Sequence, residues 1–240
     1  SVTELLEAHR KHGSLYDDKT LAATWNLLGK HAQRDKQAFV SCKGGPIEPL
    51  VEQTLRALPT MGARYVGTTA HGLAAAERAT RWRSSGALWD ALTARITAAA
   101  PEFDSQGLAN TAWAYAKAGR ASPALFDAIA AAGAAFVGEF KSRELASTAW
   151  AFAKAGHDSP ALFEAIASAT TARVREFAPQ GLSNTAWAFA KAGHKSPALF
   201  DAIAAASEAR IGAFNPQNLA NTAWAFAQAG HSSPALFDAI

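Results

Sequence analysis

The stretch LANTAWAYAKAG at residues 108–119 decides the fold, because it returns three times further along the chain. It reads LASTAWAFAKAG at 145–156, LSNTAWAFAKAG at 182–193 and LANTAWAFAQAG at 219–230, so that successive copies lie 37 residues apart. Self-similarity at a fixed period of this size is typical of solenoid proteins, in which each repeat stacks on its neighbours.

Each copy contains two helices, and capping and breaking residues mark their limits. The first helix begins after an N-cap such as Asp104 or Asn215 and ends at a glycine that we expect in the left-handed conformation. The second begins at Ser122-Pro123, where serine is expected to cap and proline suits the first helical position. Its apolar face carries Leu125, Phe126, Ile129, Ala132 and Phe136. One pair cannot bury such faces alone, so neighbouring pairs must stack into a continuous core.

Residues 1–100 contain divergent copies of the unit, and residues 101–240 contain the regular ones. Leu88-Trp89-Asp90 lies 37 residues before Leu125-Phe126-Asp127, and residues 21–29 resemble the first helix again. Residues 34–45, which follow that helix, predict a long loop. The sequence therefore predicts an all-α solenoid of six stacked antiparallel helix pairs, the last cut short at Ile240. Because the chain stops within a repeat, we expect a piece of a longer protein.

The composition suits a folded binding protein but supports a nucleic-acid partner only weakly. The net charge is +3, with 13 Lys/Arg against 9 Asp/Glu in residues 1–100 and 10 against 11 in residues 101–240. A nucleic-acid-binding domain would be expected to be strongly basic. Cys42 is the one cysteine, which excludes an internal disulfide and a cysteine-based zinc cluster. No run of 18 apolar residues is present, so we expect no insertion into a membrane.

The first helix of each copy carries a polar stripe opposite its apolar face. Since each residue turns by about 100°, Gln106, Asn110 and Lys117 share one side, whereas Leu108, Ala112 and Tyr115 point away. The later copies carry Arg143, Ser147 and Lys154, then Gln180, Asn184 and Lys191, then Gln217, Asn221 and Gln228. Amides can bond base edges and lysines pair with phosphates, so these twelve residues are candidate RNA-binding positions. Alternatively, they are solvated positions kept alike by recent duplication, and the sequence leaves both interpretations open.

Three further sets of repeated residues have simpler structural interpretations. The tryptophans could stack on bases, but we favour packing between adjacent repeats. The acids lie in early turns of the second helix, where the helix dipole favours them. The basic residues of the inter-helix turn lie too far apart to share a metal ion, so we expect contact with a helix C-terminus or, in a complex, a phosphate. The three sets are Trp113, Trp150, Trp187 and Trp224; Asp127, Glu164, Asp201 and Asp238; and Arg120, His157, His194 and His231.

The LANTAWAYAKAG pattern, followed by SPALFDAI at 122–129, resembles the octotricopeptide-type repeats of organellar RNA-binding proteins, some of which end in a RAP domain. Similar helical arrays occur in RNA-editing complexes. The resemblance is strong over residues 101–240 and loose over 15–100. It implies an α-solenoid that binds RNA in a mitochondrion or a chloroplast. We expect such a protein to act in organellar RNA metabolism or as part of an organellar ribonucleoprotein such as a ribosome.

Motifs for catalysis do not occur in the sequence. It contains no glycine-rich phosphate loop, no HExxH and no nucleophile elbow. Cys42 beside Lys43 is an isolated thiol, and Gly44-Gly45 predicts a turn. We therefore expect a non-enzymatic protein, without cofactor or metal, that binds single-stranded or ribosomal RNA through its first helices. The rival interpretation is a protein scaffold of an organellar complex without direct RNA contact, which the near-neutral charge of the regular repeats favours.

Overall fold

The computed structural model describes residues 1–41, 45–80, 82–120 and 122–240, and within these ranges the regular elements are all helical. Cys42, Lys43 and Gly44 lie outside the described residues. The α-helices are α1 (Val2–His12), α2 (Asp18–Arg34), α3 (Lys36–Ser41), α4 (Glu48–Ala57), α5 (Ala63–Ala79), α6 (Gly86–Ala99), α7 (Ser105–Ala118), α8 (Pro123–Ala135), α9 (Ser142–Ala155), α10 (Pro160–Ala172), α11 (Pro179–Ala192), α12 (Pro197–Glu208), α13 (Pro216–Ala229) and α14 (Pro234–Ala239). Single 3₁₀ turns occupy Gly13–Leu15, Ala100–Glu102, Val137–Glu139, Val174–Glu176 and Ile211–Ala213.

The predicted fold class, an all-α solenoid of stacked helix pairs, is confirmed. After α1, the chain alternates between first helices (α2, α5, α7, α9, α11, α13) and second helices (α4, α6, α8, α10, α12, α14). The long loop predicted for residues 34–45 is wrong in part, because Lys36–Ser41 is helical. Phe39 from this short helix is buried against the ring of Trp82, 5.4 Å away, so tertiary packing supports α3 where the local sequence does not.

The caps follow the predictions at the first helices and depart from them at the second. Asp104 and Asn215 accept hydrogen bonds from the backbone N–H three residues on, at 2.7 and 2.8 Å. The glycines that end α7, α9, α11 and α13 all have φ between 65° and 75°. The serine cap is wrong at the later second helices, where Ser159, Ser196 and Ser233 make no capping bond. Their ψ is near 80°, whereas Asp104 and Asn215 have the extended ψ that directs a capping side chain.

The chain divides into two compact units, Ser1–Leu125 and Phe126–Ile240. In the first, α5 packs between α2 and α7. The helices α2 and α5 touch backbone to backbone: a Cβ atom on Gly72 would lie 2.4 Å from the backbone of Trp25, and one on Gly29 would lie 2.6 Å from the Gly72 carbonyl. Glycine is therefore required where these two helices meet.

We expect Gly72→Ala to lower the free energy of unfolding by about 1–3 kcal/mol, since the added methyl group overpacks a contact with backbone atoms that cannot turn aside. Urea unfolding followed by far-UV circular dichroism measures the effect. Gly86→Ala at the start of α6 is the matched control: nothing lies within 4 Å of its Cβ, so stability should be unchanged or rise. Equal stability of Gly72→Ala and the native protein would contradict the close approach.

In the second unit, α11 packs between α9 and α13, and the second helices α10, α12 and α14 follow one another beside them. Each copy is joined to the next by a pair of phenyl rings in edge-to-face contact. The pairs are Phe126–Phe152, Phe163–Phe189 and Phe200–Phe226, with ring centroids 4.9, 5.1 and 5.1 Å apart. Arg173 and Arg210 add a second link by donating to the carbonyl groups of Phe140 and Phe177, at 3.0 and 2.9 Å. The core is therefore continuous from copy to copy within this unit.

The predicted division into divergent copies (residues 1–100) and regular copies (residues 101–240) concerns the regularity of the sequence repeat, and it stays a prediction. The prediction of six helix pairs agrees with the order of the described helices, with α1 as an addition at the N-terminus.

Candidate nucleic-acid interface

The twelve predicted polar residues all lie at the protein surface. In the second unit the side chains on α9, α11 and α13 are either exposed (Arg143, Lys154, Gln180, Lys191, Gln217, Gln228) or half-buried (Ser147, Asn184, Asn221). On α7 of the first unit, Gln106 and Asn110 are exposed and Lys117 is half-buried. Leu108, Ala112 and Tyr115 are buried on the opposite side, as predicted. A ladder of amides and cations is therefore open to a ligand, although its contact with RNA stays a prediction.

The repeated tryptophans run along this open face of the second unit as a stack. Trp150 and Trp187 lie 6.1 Å apart between ring centroids at an angle of 28°, and Trp187 and Trp224 lie 6.2 Å apart at 33°. Trp150 and Trp187 are half-buried and Trp224 is 42% exposed. The packing interpretation is confirmed by these ring contacts. Because the rings are not fully buried, the stack also leaves aromatic surface next to the polar ladder.

A related arrangement occurs in the first unit, where a histidine takes the place of one tryptophan. The ring of His71 on α5 stacks on Trp113 of α7, with centroids 5.2 Å apart at 27°. The ammonium group of Lys117 lies over the Trp113 ring, 5.6 Å from its centroid. Burial, together with the nearby charges of Lys30 and Arg78, lowers the pKa of His71. His71 is therefore neutral at pH 7 and contributes a ring rather than a charge.

Sequence reasoning missed three residues of this surface, namely Lys30, His71 and Arg78. A signal for the first was present, because LAATWNLLGK at 21–30 aligns with LANTAWAYAK at 108–117 and places Lys30 at the position of Lys117. Likewise, TAHGL at 69–73 aligns with TAWAY at 111–115 and places His71 at the position of Trp113. Arg78 follows two turns after His71 on the same side of α5.

Comparison with known families now adds to this geometry. The family model for the RNA-editing substrate-binding complex 6 protein matches residues 60–234, well over half of the chain. The chain belongs to this family. No curated protein matches it.

Membership of the RNA-editing substrate-binding complex 6 family confirms the broad expectation of an RNA-associated helical protein. The match does not extend to the octotricopeptide type, which stays a resemblance of the repeat sequence. Among the described helices of this family member, none combines the length and the apolar character needed to cross a membrane.

The histidines of the inter-helix turns link consecutive copies in the second unit. His157 and His231 hydrogen-bond the carboxylates of Asp127 and Asp201 in the preceding second helices, with Nε2 to Oδ1 distances of 2.9 and 2.8 Å. His194 stacks on Phe163 at 4.1 Å, and its Nε2 lies 3.0 Å from Asp158 without hydrogen-bond geometry. The backbone N–H groups of these histidines do reach the end of the first helix, at 3.0–3.1 Å. The predicted contact with the helix C-terminus is therefore made by the backbone of these histidines, whereas their side chains contact acids and phenyl rings. The predicted contact with a phosphate in a complex stays a prediction.

Arg120 occupies the corresponding turn of the first unit and lies over the Trp89 ring at 5.6 Å. The turns after α11 and α13 border a shallow pocket of about 330 Å³, with His194, Lys195 and His231 in its lining. Across the described ranges, no three side chains of His, Cys, Asp or Glu come together as a metal site. These turns therefore supply links between repeats, and their side chains are occupied in doing so.

Proposed function

We propose that this chain binds RNA along the open face of its first helices, as a subunit of an RNA-editing substrate-binding complex. The observation that carries the proposal is the ladder of amides and cations at the surface, beside partly exposed aromatic rings. The family to which the chain belongs is named after an RNA-editing substrate-binding complex, which supports the same proposal. Aromatic and cationic side chains together bind single strands with little dependence on sequence. Because the ladder hardly changes from copy to copy, we expect sequence-tolerant binding.

We further propose a mitochondrial location and protein partners within that complex. The family supports both, whereas nothing supports a chloroplast or a ribosome. We assign the chain a binding role with no catalytic step, no cofactor and no metal.

The lysines of the ladder provide the direct test. In the triple variant Lys117→Glu, Lys154→Glu and Lys191→Glu, we expect binding of single-stranded RNA at low salt to weaken at least about tenfold, because three attractive contacts with phosphates become repulsive. Filter binding or fluorescence anisotropy with a labelled single-stranded RNA measures this.

A variant with the same change in net charge controls for non-specific electrostatics. Arg10, Arg56 and Arg175 are exposed residues outside the first helices, and their replacement by glutamate should weaken RNA binding far less. Unchanged RNA binding in the ladder variant, with its circular dichroism spectrum preserved, would remove the proposed function.

A scaffold that contacts only protein is the second candidate, and the near-neutral charge of the regular repeats favours it. Residues 101–240 contain 10 Lys/Arg against 11 Asp/Glu, which is a weak balance for a nucleic-acid partner. Partners that co-purify equally well after nuclease treatment, with a protein that retains no RNA, would favour this candidate over RNA binding.

A further inference from the structure

The first unit concentrates positive charge on the open side of its first helices. On α2, the residues Lys19, Lys30 and Arg34 lie within about 60° of one another around the helix axis. On α5, Arg64 and Arg78 lie two turns to either side of His71. Lys30 and Arg78 lie near enough to His71 for their charges to lower its pKa, and Lys117 lies over the Trp113 ring that stacks on His71. Together with the packing of α5 between α2 and α7, this indicates that the cations share one surface. We define it as the N-terminal basic face: Lys19, Lys30, Arg34, Arg64, Arg78 and Lys117.

Acidic side chains are few on the three helices that carry this face. Asp18 on α2 and Glu77 on α5 lie about 120° away from Lys30 and His71 around their helices; Asp18 accepts a hydrogen bond from the N–H of Gly62, and Glu77 is buried. α7 contains no acidic residue. Within the described part of the chain, Lys30, Arg64 and Arg78 form no ion pair. Their charges are therefore available to a ligand.

Cations that lie around an aromatic pair match the chemistry of a single-stranded nucleic acid. The stacked rings of His71 and Trp113 lie at the centre of the face, with Lys117 directly over the indole. Phosphates pair with the cations, and an exposed base can stack beside the rings. An acidic protein would use the cations but would leave the rings without a partner.

We propose that the N-terminal basic face is the principal phosphate-binding site of this protein for single-stranded RNA, and that the regular repeats make a weaker contribution. This inference rests on the proposed function. The first helices of the second unit carry only Arg143, Lys154 and Lys191 on the corresponding positions. The face with twice as many cations therefore dominates the electrostatic attraction.

The salt dependence of binding expresses this difference in numbers. Each neutralised phosphate of a single strand contributes roughly −0.7 to the slope of log K against log salt concentration. Six contacts in the first unit predict a slope of roughly −4, whereas three in the second predict roughly −2. Net charge conceals the contrast, because acids elsewhere in the unit offset the cations of this face.

Two charge-matched double variants of the full chain test the inference. Lys30→Glu with Arg78→Glu reverses two charges next to the His71–Trp113 pair, and Lys154→Glu with Lys191→Glu reverses two in the regular repeats. Affinity for a labelled single-stranded RNA of mixed sequence is measured by fluorescence anisotropy at several salt concentrations. The first pair should weaken binding at least about tenfold and reduce the slope by roughly 1.4, whereas the second should weaken it about threefold or less.

The outcomes separate this inference from the proposed function. An equal or larger loss in the Lys154/Lys191 variant overturns the inference and leaves RNA binding by the first helices intact. No loss in either variant overturns both. If Lys30→Glu with Arg78→Glu fails to fold, the neutral pair Lys30→Gln with Arg78→Gln should still weaken binding more than Lys154→Gln with Lys191→Gln. Equal losses in these two neutral pairs also overturn the inference.

Discussion

Phe200→Ala is expected to lower the free energy of unfolding by about 3–5 kcal/mol, because it removes a fully buried phenyl ring from the junction between two copies. Phe200 is 2% exposed and meets the edge of Phe226 with ring centroids 5.1 Å apart. The ring of His231 covers it from the next turn at 5.5 Å. The loss thus combines a cavity with the removal of an aromatic contact that joins α12 to α13.

The repeat supplies its own control for this substitution. Phe237 occupies the same position of the PALFDA segment in the next copy, yet it is 43% exposed. We expect Phe237→Ala to cost less than about 1 kcal/mol. Urea unfolding followed by far-UV circular dichroism compares the two directly. If both variants lost a similar free energy of unfolding, the phenyl rings would stabilise their own copy and not the contact between copies.

This comparison also explains how much of the fold could be predicted. The 37-residue period predicts which positions are buried in the regular copies, since Leu, Phe and Ile recur where neighbours must pack. It says nothing of residues that occur only once. The contact between Gly29 and Gly72 depends on two glycines in different divergent copies, and only the packing of α2 on α5 brings them together.

The exposure of the candidate residues was predicted best where the repeats are regular. Position on the helix wheel was enough to place Gln180 and Lys191 at the surface. The N-terminal basic face was missed because the sequence analysis counted charges by segment of the chain. A ligand contacts only the charges that lie on one side of the folded unit. Lys30, Arg78 and Lys117 come from three helices separated by up to 87 positions, and only the packing of α2, α5 and α7 brings them together.

Glu77 is the second position at which a single substitution should have a large effect. Its carboxylate is 2% exposed, and one oxygen, Oε1, accepts hydrogen bonds from the backbone N–H of Ser84, the hydroxyl group of Ser84 and Nε1 of Trp89, at 2.8, 2.7 and 3.0 Å. In the alignment with α7, Glu77 stands where Gly119 ends the helix. Instead of stopping at a glycine, α5 continues to Ala79, and the carboxylate binds the segment that leads into α6.

We expect Glu77→Ala to lower the free energy of unfolding by about 3 kcal/mol or more, because each buried donor left without an acceptor costs about 1–3 kcal/mol. Glu77→Gln retains a carbonyl oxygen that can accept the same bonds, so its loss should be limited to about 1 kcal/mol. Urea unfolding followed by the fluorescence of the tryptophans, Trp89 among them, measures both variants. Equal destabilisation by the two would show that the charge of Glu77, and not its position as an acceptor, stabilises the path from α5 to α6. If only Glu77→Ala lowers the free energy of unfolding, the accepting oxygen of Glu77 does in α5 what the helix-ending glycine does in the regular copies.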